Sequence, residues 1–215
     1  MRLLRGAGAI ALMFLMLACA RVETVVTPFH TFAQSSPQGK TFIIMPSKTQ
    51  EGSLEWATYS NLVAQKLESK GLRRVQSARA ADYAVSLDYA IDSGRPVTSS
   101  YVDYGQTSSG GTSYTTGYVG NTPVTASTYT PPTYGVKGTS TRTDTYYGRV
   151  VRITIMDVQK SLAENKRVLV YEATGKSDGE TGNINVVLPH IIDAMFVDWP
   201  GKSGVPQTQS IPFKG

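Results

Sequence analysis

The sequence predicts an α+β two-layer sandwich: a mostly antiparallel sheet of four to five strands, two helices on one of its faces, and a long Tyr/Thr/Gly-rich insertion. Residues Asp82 to Asp92 alternate, with Tyr83, Val85, Leu87, Tyr89 and Ile91 on one parity and Asp82, Ser86, Asp88 and Asp92 on the other. One face of that strand is therefore buried and the other wet. Two later and earlier segments, Ser53 to Leu72 and Val187 to Trp199, each carry a single apolar stripe at helical spacing. The order strand, helix, strand, insertion, strand, strand, helix puts both stripes against one side of one sheet.

The chain opens on a segment that belongs to export rather than to the fold. Arg2 and Arg5 give a positive start, Ala7 to Leu17 is small to apolar throughout, and Ala18-Cys19-Ala20 is a small-residue processing site. A transmembrane helix needs about 20 apolar residues, and Arg21 and Glu23 end this run first. Residues 1–18 are read as a cleaved signal peptide and 19–40 as the lipidated N-terminus, tether and first strand. Cys19 is the one cysteine of the chain, so it cannot close an internal disulfide. The preceding Leu15-Met16-Leu17-Ala18 resembles the lipobox of bacterial lipoproteins. That resemblance implies acylation of Cys19 and, with Ala20 rather than aspartate next, delivery to the outer membrane on its periplasmic side. Several acyl chains at about 0.8 kcal/mol per buried methylene make such an anchor permanent. The alternative is ordinary cleavage after Ala20, which discards Cys19.

From Cys19 the chain has 197 residues, enough for one domain with some excess. Losing Arg2 and Arg5 leaves 19 basic against 16 acidic residues, a charge of +3. No dense basic patch is interleaved with aromatics, so nucleic acid is excluded as a partner. Lys66, Lys70, Arg73, Arg74 and Arg79 are the nearest thing to a cluster, and they complement the C-terminal end of a helix dipole.

Val22 to Phe32 reads as one irregular strand, and Thr41-Phe42-Ile43-Ile44-Met45 as a short buried one closed by Pro46. The α+β domain is placed at 41–200. Its first helix has Ser53 as cap, Glu55 at the positive end, and a stop at Lys70-Gly71-Leu72, where glycine takes the left-handed position. After Asp82 to Asp92 come strands Val150 to Val158 and Val168 to Thr174, joined by a polar connection, Gln159 to Arg167, with one short turn of its own. The last helix begins near Val187, with Pro189 in its first turn, and ends at Pro200-Gly201; 201–215 reads as a loose tail.

The insertion, 93–147, holds 14 Thr and 8 each of Ser, Gly and Tyr, but no Leu, Ile, Met, Phe or Trp. It cannot bury enough aliphatic surface for a core. One reading is a flexible low-complexity loop; the other is an extended hairpin arm that presents aromatic faces to a glycan or a partner chain. On the second reading Tyr101, Tyr104, Tyr114, Tyr118, Tyr129 and Tyr134 are the candidate binding residues.

Gly175-Lys176-Ser177-Asp178-Gly179 spells G-x-S-x-G after a predicted strand. A nucleophile elbow must run directly into a helix, and this segment continues Glu180-Thr181-Gly182-Asn183, so a glycine-rich turn is expected. His30 and His190 have no second ligand at three or four residues, so no metal is expected, nor any cofactor. Asp82, Asp88 and Asp92 on the wet face are read as solubility residues rather than as a glycosidase pair.

Gly39-Lys40-Thr41-Phe42-Ile43-Ile44, the helix end Leu67-Glu68-Ser69-Lys70-Gly71-Leu72, Ala80-Ala81-Asp82-Tyr83-Ala84-Val85, the Val151 to Val158 strand and the Ile191 to Pro200 helix together resemble bacterial lipoproteins of domain-of-unknown-function family 4136. The resemblance implies a periplasm-facing α+β lipoprotein and transfers no catalytic residue. The functional expectation is a non-enzymatic outer-membrane lipoprotein, an accessory or structural subunit of an envelope assembly. Its partners would be the membrane through the lipid, and an envelope protein or further copies of itself. The alternative is a lipoprotein binding peptidoglycan or another polysaccharide through the tyrosines; a serine hydrolase at Ser177 is the remote one.

Overall fold

The computed structural model describes residues 21–32 and 37–213; Cys19 and the export segment lie outside them. The chain divides into two units, one made of the residues up to Asp92 with those from Gly148 onward, the other of Ser93–Tyr147. Its class is α+β, with mostly strands.

In the first unit the elements are β1 (Arg21–His30), β2 (Thr41–Ile44), α1 (Leu54–Ser69), β3 (Arg73–Arg74) and β4 (Tyr83–Ile91). Then follow the C-terminal part of β8 (Thr133–Asp157), α2 (Val158–Glu164), β9 (Leu169–Gly179), α3 (Ile184–Val197) and β10 (Gln207–Pro212). The strands β5 (Arg95–Ser108), β6 (Gly111–Val119) and β7 (Thr122–Thr130) belong to the second unit with the N-terminal part of β8.

The main sheet has eight strands rather than the four to five expected, and it is mixed. Seven of them run in the order β10-β1-β9-β8-β4-β2-β3, and the eighth, β5, pairs with β8. β1 is antiparallel to both β10 and β9, and β4 to β8. β2 is parallel to β3 and β4. Parallel neighbours need a crossover of a dozen residues or more, and α1 supplies it. The described residues also form three α-helices rather than two. The third, α2, is the short turn foreseen in the polar connection, grown to seven residues and capped by the Asp157 side chain on Lys160 N–H.

Three further expectations are corrected. The loose tail contains β10, in register with β1 from Arg21↔Pro212 to Val26↔Gln207. β1 itself is a regular strand paired on both sides. Pro189 lies well inside α3, which starts at Ile184 behind the cap Asn183.

α1 follows the sequence closely. Ser53 Oγ accepts the Trp56 N–H at 3.1 Å, satisfying one of the first-turn donors. At the other end Gly71 (φ +91°) donates to Glu68 O and Leu72 to Leu67 O, the paired bonds of a Schellman motif. Leu72 then folds into the core.

That core is made by the alternate residues Tyr83, Val85 and Leu87 of β4 and Val151, Ile153 and Ile155 of β8, against Val63 and Leu67 of α1 and Leu188, Ile191 and Ile192 of α3. Each fully buried Leu or Ile contributes about 1.5–3 kcal/mol relative to exposure. α3 approaches β9 where Gly175 stands: a Cβ there would lie 3.0 Å from Met195 Cγ and Sδ and 3.2 Å from Ile191 Cγ2. Lys66 and Asp193 join α1 to α3 at 2.7 Å.

Candidate functional site

The insertion is built of paired strands and not of structureless loop. β5 lies antiparallel to β8 from Arg95↔Tyr146 to Ser108↔Thr133, and β6 to β7 from Gly111↔Thr130 to Val119↔Thr122. A two-residue turn, Gly120-Asn121, joins β6 to β7, with Gly120 at φ +62° taking the first central position of a II′-type hairpin turn. Threonine and tyrosine suit such strands, because a β-branched or aromatic side chain packs over the pleat without an aliphatic core. Hydroxyls pair across the ladder, Thr98 with Thr143 and Thr107 with Thr133, each at 2.9 Å.

All six candidate tyrosines are exposed, from 54% for Tyr101 to 78% for Tyr104. Register decides which of them act together. On β6 and β7 the pairs Thr112↔Tyr129, Tyr114↔Ser127, Thr116↔Thr125 and Tyr118↔Pro123 share a face, so Tyr114, Tyr118 and Tyr129 stand on one side of the hairpin. The other side carries Gly111, Ser113, Thr115, Gly117 and Val119 opposite Thr130, Thr128, Ala126, Val124 and Thr122. On β5 and β8, Tyr104 opposes Val136 and Gln106 opposes Tyr134, which makes Tyr104 and Tyr134 diagonal neighbours on one face. Tyr101, an odd number of residues from Tyr104 on the same strand, is on the opposite face. A bulge at Lys137 interrupts the ladder between Asp103 and Tyr104.

One property of this arm is absent from the reading of the sequence, although the letters carry it. From Tyr104 to Val136 there is no charged residue at all, whereas Asp103, Lys137, Arg142 and Asp144 flank that stretch on β5 and β8. Every residue of β6 and β7 is exposed.

In the first unit the G-x-S-x-G segment is the end of strand β9 and not a turn. Ser177 is buried, and its Oγ has no hydrogen-bond partner, so no general base touches it. Gly175 serves the close approach of α3. Gly179 lies under Arg149, whose guanidinium is 3.0 Å from where a Cβ would stand.

Arg149 is the buried cation of the molecule's described residues, on the same parity of β8 as Val151 and Ile153. It donates to Gly179 O at 3.1 Å and to Thr181 O. Burial lowers its pKa, and the carboxylates of Asp178 and Asp92 act against that. A cleft of about 390 Å³ opens beside it, lined by Ala90, Asp92, Gly148, Val150, Lys176 and Asp178. The wet-face aspartates are dispersed in role: Asp82 binds Thr41, Asp88 faces Arg152 across the ladder, and Asp92 stands against Gly148.

The histidines pack against aromatic neighbours. His30 Nε2 lies 3.0 Å from Gly201 O and its ring stacks on Phe32 and Tyr171, while His190 meets Phe213 edge-on. Among the described residues no three of His, Cys, Asp and Glu gather into a metal site. Three of the five basic residues near the end of α1 are engaged locally: Lys66 with Asp193, Arg74 with Asn61 Oδ1 at 2.9 Å, and Arg73 with Gly39 O. Among the described residues no helix is long and apolar enough to cross a membrane.

No curated protein matches the chain. Two solved structures show similarity to the chain. A PDZ domain protein from Parabacteroides distasonis is 13% identical with a TM-score of 0.43; the match covers 87% of this chain and 38% of that one. The PelC dodecamer from Paraburkholderia phytofirmans is 13% identical with a TM-score of 0.35, covering 79% of this chain and 91% of that one. The chain thus spans well under half the length of the PDZ domain protein. A family model matches residues 25–201, from the middle of β1 to just past α3, and by that match the chain belongs to the family defined by the domain of unknown function DUF4136.

Proposed function

We propose that this chain is an outer-membrane lipoprotein, acylated at Cys19 and facing the periplasm, that serves without turnover as an accessory or structural subunit of an envelope assembly. The arm, 93–147, is its contact surface. The observation that carries this reading is the exposure of the six candidate tyrosines, on paired strands that have no charge between Tyr104 and Val136. Large aromatic side chains held at the surface on paired strands bury much area when a partner covers them. The remaining unit has its own core and does not need the arm to bury it.

Replacing 93–147 by a short Gly-Ser linker and crosslinking in intact cells tests the reading. The partner captured by the full chain is lost from the shortened one, while thermal unfolding of the remaining unit stays cooperative. Unchanged capture overturns the assignment of the arm. Mass spectrometry of the mature N-terminus reads the anchor directly: acyl chains on Cys19 support it, and a free terminus at Arg21 removes it.

Polysaccharide binding is the second reading, favoured by Tyr114, Tyr118 and Tyr129 standing on one face of β6–β7. Aromatic rings in a row stack on sugar rings. The triple variant Tyr114→Ala/Tyr118→Ala/Tyr129→Ala would then abolish co-sedimentation with purified sacculi, and a wild-type chain that stays in the supernatant discards the reading.

A further inference from the structure

The arm treats its edges in two ways. β5 and the neighbouring part of β8 carry Arg95, Asp103, Lys137, Arg142 and Asp144 and are interrupted by the Lys137 bulge. Charges and bulges are the devices by which exposed strands avoid pairing with other chains. β6 and β7 have neither. Pro123 sits next to the turn, and Val124–Thr130 beyond it is free of proline. In an antiparallel pair every second residue of each strand turns its N–H and C=O outward; Pro123, in the outward-facing pair next to the turn, has no N–H, so the outer edge of β7 is an open template from Thr125 onward and that of β6 along its length. A two-stranded ribbon with no covered face is marginal in water, yet here every residue of β6 and β7 is exposed.

We propose that β6 and β7 are the strands through which copies of this chain join: β7 of one copy pairs antiparallel with β6 of the next, extending the hairpin into a continuous sheet. The inference rests on the arm being the contact surface, and it names the occupant. Three features point to a second copy. The stretch carries no charge that an oppositely charged partner would read. It holds no Leu, Ile, Phe, Met or Trp, so neither face can supply the apolar band that a lipid-facing strand requires. Finally, its two edges are complementary to each other. Copies anchored in one leaflet and related by rotation about the membrane normal carry their hairpins in the same sense, which sets β7 beside the neighbour's β6 in antiparallel orientation. Such a contact is head-to-tail and closes into a ring when the rotation permits. The flat Gly/Ser/Thr/Ala/Val side lets adjacent hairpins continue the pleat without steric conflict, and the tyrosine side lines up into a Tyr/Thr ladder.

The test uses the full chain extracted from membranes in mild detergent. Light scattering on the separated particle gives a protein mass several-fold that of one mature chain. Val124→Lys/Thr128→Lys places two cations on β7 and reduces the particle to one copy; the uncharged control Val124→Thr/Thr128→Ser retains the wild-type mass. A wild-type particle of one copy, or a lysine variant of undiminished mass, overturns the proposal. Hydrogen exchange on the wild-type particle is independent of any variant. Outward amides of residues 111–130 are protected at least 100-fold when edges are paired, and exchange at unstructured rates throughout would also overturn it. Protection that appears only on adding phosphatidylethanolamine/phosphatidylglycerol vesicles, at single-copy mass, assigns the arm to the bilayer and defeats the proposal. A single-copy particle with acylated Cys19 refutes the pairing and leaves the anchored-subunit reading intact. A multi-copy particle without acyl chains does the reverse.

Discussion

Asp82 and Thr41 hold each other reciprocally: the Thr41 N–H donates to the Asp82 carboxylate at 2.8 Å, and the Asp82 N–H returns to Thr41 O at 3.1 Å. The pair fastens the start of β2 to the residue just before β4, and Lys40 Nζ adds an ion pair at 3.3 Å. The backbone bond from Thr41 is the chief reason that the Asp82 carboxyl titrates below its usual range.

Acid stability follows from that depressed pKa. A carboxyl whose folded pKa is lowered stabilises the fold at every pH above its unfolded value of about 3.9, and the contribution disappears as pH falls through the folded value. Asp82→Asn should cost about 1 kcal/mol at neutral pH, a charge-assisted bond discounted for partial exposure. Urea midpoints of the two proteins should converge below about pH 4; a gap that persists into stronger acid would show that the charge is not the cause.

At the alkaline end the sign reverses. Burial raises the pKa of Tyr171, which packs among Phe32, His30 and Trp199. The folded state then holds a proton that the unfolded chain releases above about pH 10, and stability declines from there upward. Tyr171→Phe removes the titrating hydroxyl, so its unfolding temperature should fall less between pH 9 and 11 than that of the parent.

Gly175→Val should destabilise by about 2 kcal/mol, because its branches enter the space of Met195 and Ile191, both buried. Gly117→Ala on β6 serves as the control, since nothing lies within 4 Å of its added methyl. Equal melting temperatures for the two variants would contradict the close contact of α3 with β9.

Ser177→Ala is expected to be neutral or slightly stabilising. The hydroxyl is buried without a partner, and removing an unsatisfied group removes its desolvation penalty, of order 1 kcal/mol. A serine-directed fluorophosphonate should leave the wild-type chain unlabelled; stoichiometric labelling that vanishes in the variant would restore the nucleophile.

What the sequence discloses and what it conceals divide along the range of the interactions. α1 was legible to the residue, because Ser53, Glu55 and Lys70-Gly71-Leu72 act within one turn of where they stand. β4 was legible because its alternation is local. The partnership of β1 with β10 joins residues at opposite ends of the chain, and no window of neighbouring letters reports it. The parallel pairing of β2 with β4 was in reach: a strand, a sixteen-residue helix and another strand is the arrangement that a parallel crossover needs. The end of β9 was misread because Gly175 looks like a turn former, whereas its lack of a side chain answers to Met195, twenty residues on. In the arm, threonine and tyrosine left loop and hairpin both open, since they lack the aliphatic core that marks a strand while their pairing still satisfies the ladder. The missing charges of that stretch were visible throughout and acquire meaning only once its edges are known to be open.

β1 begins at Arg21, already laddered to Pro212 of β10. Cys19 stands two positions upstream, and two extended residues reach about 7 Å. On the proposed acylation, two residues at most separate the lipid from the sheet, so the β10–β1 border is leashed close to the headgroups.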